Sequence, residues 1–231
     1  MSVKPVTTID EVVARLEELD GELPPSDGVR WFNRLFLEVT RAVRDYLHQG
    51  SFQATPFLER LDVFVGNAYF TALDTAEAHP HDVGRAWAPL FDARRDPRVA
   101  PLQFALAGMN AHVNHDLAVC VVATCQELGA EPGGPQHHDY NAVNDVVRET
   151  EAQVKRWLLT GALAELDHAV APADDVAALW SIARARSAAW VRAQVLWRLR
   201  DDPDLTAAYL EVNDRATELA GRALVLPLPL P

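Results

Sequence analysis

Apolar residues recur every three to four positions through most of the chain, which is the period of an amphipathic helix. Ile9, Val12, Val13, Leu16 and Leu19 form a first stripe. Thr8 and Glu11 ahead of it have capping-box spacing, and Gly21 predicts its end. Leu23-Pro24-Pro25-Ser26 is a turn. A second helix is predicted from about Val29 to His48, with Trp31, Leu35, Val39, Val43 and Tyr46 inward. Gly50 and Ser51 break it. Thr55-Pro56 opens a third helix with proline in its first turn, running to about Ala78 before His79-Pro80-His81.

The stretch Pro80 to Pro101 holds four prolines and the charged run Asp92-Ala93-Arg94-Arg95-Asp96. It predicts a long irregular crossover with one helical turn near Gly84 to Trp87, and connections of that length are often functional. A fourth helix, Leu102 to about Leu128, is the most apolar segment. Glu131-Pro132-Gly133-Gly134-Pro135 reads as a loop, and Asp139 as the cap of a fifth helix reaching Gly161. A sixth is predicted from Asp175 to Arg200, and a seventh from Pro203 to Gly221. Hairpin turns and two-residue alternation are lacking. The pattern therefore predicts an all-α, single-domain bundle of about seven helices over residues 1–223. Residues 224–231 alternate apolar residues with proline and predict an extended tail. Either Leu226, Leu228 and Leu230 dock on the bundle or on a second copy of the chain, or the terminus is frayed.

Composition narrows the partners. Hydrophobic residues at 49% and charged residues at 23% are ordinary globular values. No apolar run approaches the length of a membrane span, and the N-terminus lacks a secretory core, so a cytoplasmic location is expected. Lys and Arg number 21 against 33 Asp and Glu, a net charge of −12. Such a surface repels phosphate backbones and anionic lipid, which leaves small molecules as the expected partners and homo-oligomers open. Cys120 and Cys125 are five apart on a helix, about 140° round it, and are expected to be buried reduced thiols.

Candidate chemistry concentrates in the fourth helix. Leu102, Leu106, Met109, Val113, Leu117 and Cys120 make its apolar stripe, yet Asn110, His112, Asn114, His115 and Asp116 crowd into seven positions. Buried polar groups need partners, an ion or a wet cavity. His112 and Asp116 are four apart on one face, and His112 and His115 three apart, so either pair could supply two metal ligands. Glu38 and Asp62 on the second and third helices could complete a zinc, manganese or iron site. Three readings stay open for this cluster: a hydrogen-bonded structural pair, a metal site, and a metal-free site with His112 as base oriented by Asp116. Glu38 and Asp62 have ordinary alternatives as partners of Arg34 or Arg41 and of Arg60. Gly66, one turn after Asp62, permits close approach by a neighbour. The fifth helix opens with His137-His138 in a solvated loop and carries Asn144 near an anion-favouring helix start. On the sixth helix Trp180, Trp190 and Trp197 predict an aromatic wall with Arg184 and Ser187 beside it, either core or one side of a ligand pocket.

Trp87-Ala88-Pro89-Leu90-Phe91, the run Pro101 to Leu117 and Asp139-Tyr140-Asn141-Ala142-Val143-Asn144 resemble an uncharacterised bacterial family of all-helical proteins, a domain of unknown function. The resemblance implies a stand-alone helical protein and carries no chemistry across. Two functions follow from the residues. One is a metal-dependent hydrolase or lyase with His112 and Asp116 catalytic and His112, His115, Asp116, Glu38 and Asp62 around the ion. The other is a non-catalytic bundle for an apolar or aromatic small molecule, held by Asn110, Asn144, Arg184 and Trp190. Haem on His112 or His115 is a sub-case of the second.

Overall fold

The computed structural model describes residues 4–50, 52–148 and 182–227, and these are helical with no strand among them. The first three helices, α1 (Ile9–Glu22), α2 (Val29–His48) and α3 (Thr55–Ala78), lie where periodicity places them. Thr8 and Glu11 close the predicted capping box. Gly66 does admit a neighbour: a Cβ there would sit 2.8 Å from the Val12 side chain of α1.

The crossover is more ordered than expected. A 3-10 turn (Pro80–Asp82) and α4 (Ala88–Ala93) lie within it. The cause is burial, since Trp87, Leu90 and Phe91 are core residues and their backbone must bond within the segment. Arg94 pins its far end to the start of α2. Its guanidinium forks onto the Asp27 carboxylate at 2.6 to 3.1 Å, and its carbonyl accepts the Gly28 N–H.

The fourth predicted helix is α5 (Pro101–Ala111) and α6 (Leu117–Glu127) joined by a π turn over His112–Asp116. The Leu117 N–H reaches back five residues to the His112 carbonyl. Extra residues in a turn of this kind recur at functional sites. This long element is the axis of the fold: α5 packs on α2 and on α9 (Pro203–Leu224), and α6 on α3 and α8 (Ile182–Leu199). A further helix, α7, starts at residue 134 and is described to 148. It opens five residues before the expected cap, because Asp139 is fully buried and instead accepts the Ala54 N–H at 2.5 Å, just ahead of α3. The predicted end at Gly161, the start at Asp175, Trp180, Leu228 and Leu230 lie outside the described residues.

The last helix runs to Leu224, three residues past Gly221. The buried Gln103 amide donates to the Leu224 and Leu226 carbonyls at 2.7 and 2.6 Å. Leu226 is thus held by its backbone while its side chain is exposed on this chain, so it does not dock on the bundle. Both cysteines are buried free thiols, as expected.

Candidate functional site

The polar cluster of the fourth predicted helix divides in two. On the side of α9, Asn110 donates to the Thr217 carbonyl at 2.8 Å and accepts from Asn114 at 3.1 Å. Asn114 in turn accepts from Arg192, and its carbonyl accepts from Asn213. Asp116, buried, accepts the Trp87 indole N–H at 2.9 Å and meets His115 Nδ1 at 2.8 Å. His115 Nε2 lies 3.7 Å from Asp214, which accepts the Ala86 N–H. Burial alone would lower the His115 pKa, but the hydrogen bond and charge of Asp116, with Asp214 behind, raise it. These groups satisfy one another and fasten Trp87 and α9 to the axis.

His112 goes the other way. A π turn advances fewer degrees per residue than an α turn, so residues three apart no longer share a face, and His112 and His115 separate. His112 Nδ1 is buried with no hydrogen-bond partner, and the imidazole packs against the Phe36 ring at 4.4 Å. It faces a cavity of about 50 Å³ between α2, α3, α5, α6, α7 and α8. The described lining is apolar, with Phe36, Met109, Val113 and Leu117 among it, except for Thr40, Asp62, His112 and Arg186. The Thr40 hydroxyl is spent on the Phe36 carbonyl. Asp62 Oδ2 is buried without a partner.

Burial drives the two titrating groups in opposite directions. It raises the Asp62 carboxyl to about 7, with Arg186 pulling down and Glu59 pushing up. It lowers His112 to about 4, against the opposing charge of Asp116 and with help from Arg186. Arg186 is itself positioned: its Nε donates to Asn144 Oδ1 at 2.8 Å, an Nη donates to the Tyr140 carbonyl at 3.1 Å, and it lies 4.2 Å over the Tyr140 ring. Arg186 is the cavity residue that the sequence reading missed. Ile182, Ala189 and Ala193 are the buried face of α8, and Arg186 lies between them at helical spacing, a signal that was legible.

The five sequence-chosen metal ligands do not converge. His112 and Asp62 share the cavity, while His115 and Asp116 face Asp214 and Trp87. Glu38 is exposed and paired with Arg41 at 2.7 Å. Among the described residues no three of His, Cys, Asp and Glu are grouped to hold an ion. Asp116 makes no hydrogen bond to His112, so it does not orient that imidazole. The guanidinium at the cavity is Arg186 rather than the exposed Arg184, and Asn144 acts by holding it. Asn110 is a partner of α9. Trp190 is core, packed on His137, Tyr140 and Phe57 at 4.7, 4.8 and 6.2 Å, and Trp197 lies under Arg200 instead of continuing a wall. His137 is therefore helical and stacked, not part of a loop. At about 50 Å³ the cavity beside His112 is far smaller than a haem.

No helix among the described residues is long and apolar enough to cross a membrane. Neither curated proteins nor solved structures provide a match to the chain. A family model does match, over residues 9–227, and by it the chain belongs to the Family of unknown function (DUF5995).

Proposed function

We propose that the cavity binds a short carboxylic acid and that Asp62 and His112 exchange a proton with it, the reaction class being proton transfer on a small carboxylate substrate. The observation that carries this reading is the pairing of two buried, unpartnered polar atoms, Asp62 Oδ2 and His112 Nδ1, on one otherwise apolar cavity. An orphaned buried polar atom is costly, and two on one cavity are a feature that stability alone does not favour.

Roles follow from the charges. At neutral pH Asp62 is partly protonated and can donate to a ligand carboxylate, while His112 is neutral and can accept a proton. Groups whose pKa values are pushed apart supply the acid and the base. Arg186 provides the compensating positive charge, since its field reaches both. Size selects the substrate: about 50 Å³ is roughly a third of the cavity that admits benzene, enough for a few waters or an acid of about two or three carbons. With two protein ligands facing the cavity, the reading runs through side chains and not through an ion.

Thermal unfolding with acetate, propionate and butyrate tests it. Propionate at pH 6 should stabilise the protein by about 1.4 kcal/mol at ten times Kd, and less at pH 8, where Asp62 ionises. Arg186→Met should abolish the effect, and Asp62→Asn should remove its pH dependence. No stabilisation by any of the three acids up to about 50 mM, or stabilisation indifferent to Arg186→Met, would sink the proposal.

A further inference from the structure

Helix α9 is amphipathic twice over. It buries Thr217 and Gly221 against the bundle, with Gly221 close to Pro89 and Asn110. On the opposite face Leu205, Val212 and Leu219 are 53%, 68% and 74% exposed, and Leu226 just beyond the helix is 63% exposed. These four are spaced by seven, and Ala208, Ala216 and Ala223, all exposed, fill the stripe between them. A sustained seven-residue apolar repeat on an exposed helix is a helix-pairing seam, not a scatter of surface residues.

The charges along one edge of the seam choose the partner. At about 100° per residue Asp204, Glu211, Arg215 and Arg222 fall on the same side of the stripe, in the order acid, acid, base, base. Laid against itself antiparallel, that edge brings Asp204 opposite Arg222 and Glu211 opposite Arg215. The apolar seam has the same centre to within one residue, placing Val212 on Val212 and Leu205 on Leu219. In a parallel pairing this edge would instead face the partner's other edge, where Tyr209, Asn213 and Ala220 offer its charges no partner. The present partners of these groups are exposed ion pairs, Arg215 with Glu211 and Arg222 with Glu218 and Asp92, which cost little to exchange.

We propose that α9 is a homodimer interface, in which two copies of this chain pair antiparallel about a two-fold axis at Val212. The contact is isologous, so it closes at two copies. Helix α9 has 22 residues and is about 33 Å long, which gives an interface at the small end of the specific range and a concentration-dependent dimer. The alanines let the two backbones approach closely, and the antiparallel helix dipoles add to the attraction.

Sedimentation velocity on the full chain should give twice the chain mass at about 100 µM and a shift toward monomer near 1 µM. Val212→Glu, which sets two carboxylates face to face at the axis, should give monomer at every concentration with an unchanged circular dichroism spectrum. Val191→Glu, at a site 59% exposed but off the seam, should remain dimeric. For orientation, Leu205→Cys and Leu219→Cys chains should form a disulfide under mild oxidant when mixed and neither when alone. Monomer at 100 µM, a dimer that survives Val212→Glu, or cross-linking of each cysteine variant with itself would overturn the proposal.

Discussion

Asp116→Ala should cost the fold about 3 kcal/mol, because it strands two partners at once. The Trp87 indole N–H, in a buried ring, loses its acceptor, and His115 loses its nearer carboxylate. In a chain of this size that corresponds to a fall in Tm of about 6 to 12 °C. Asp116→Asn keeps an oxygen for Trp87 and should cost less than half as much. Denaturant unfolding of both variants checks this, and propionate binding by Asp116→Asn should stay within about threefold of the parent. A loss under 1 kcal/mol in Asp116→Ala would mean that the Trp87 contact does not fasten the crossover to the axis.

Gly108→Ala should be destabilising by about 3 kcal/mol, although alanine in a solvated helix interior would stabilise by about 1 kcal/mol. The reason is Phe32. An added Cβ at Gly108 runs into that ring, and the ring is wholly buried among Tyr69, Trp87 and Phe36, with centroids 5.0, 5.3 and 5.7 Å away. There is no direction in which it can yield without displacing another aromatic. The same measurement decides the sign, and a neutral or stabilising result would show that α2 and α5 can separate at little cost.

The contrast between helix and site shows where sequence reasoning reaches. The α1 stripe reports burial directly and the Thr8 and Glu11 box reports a backbone need, whereas on α2 the spacing finds Leu35 and Val43 but favours Trp31, Val39 and Tyr46, all half-buried, over the core residues Phe32, Phe36 and Leu47. The crossover was harder. Its prolines read as irregular, yet Trp87, Leu90 and Phe91 had to be buried, and burial imposes helix on a segment whose composition alone does not. In the fourth predicted helix the density of Asn, His and Asp correctly marked a place with partners. At α spacing His112 and His115 share a side, whereas the π turn directs His112 away from His115. Asp62 was legible as a carboxylate in an apolar stretch. Arg186 shares the inner face of α8 with Ile182, Ala189, Trp190 and Ala193, whereas Arg184 beside it in the sequence is exposed.

The claim on which the functional reading rests is that Asp62 and His112 are proton-handling groups on one ligand cavity. Titration by NMR of the Asp62 side-chain carboxyl carbon and the His112 ring nitrogens, without and with propionate, tests it most directly. Asp62 should titrate near pH 7 and His112 should stay neutral down to about pH 4. A bound carboxylate stabilises the protonated acid, so propionate should move the Asp62 midpoint upward, and binding should weaken as pH rises through it. An Asp62 midpoint in the ordinary range below 5, with both resonances indifferent to propionate, would contradict the account.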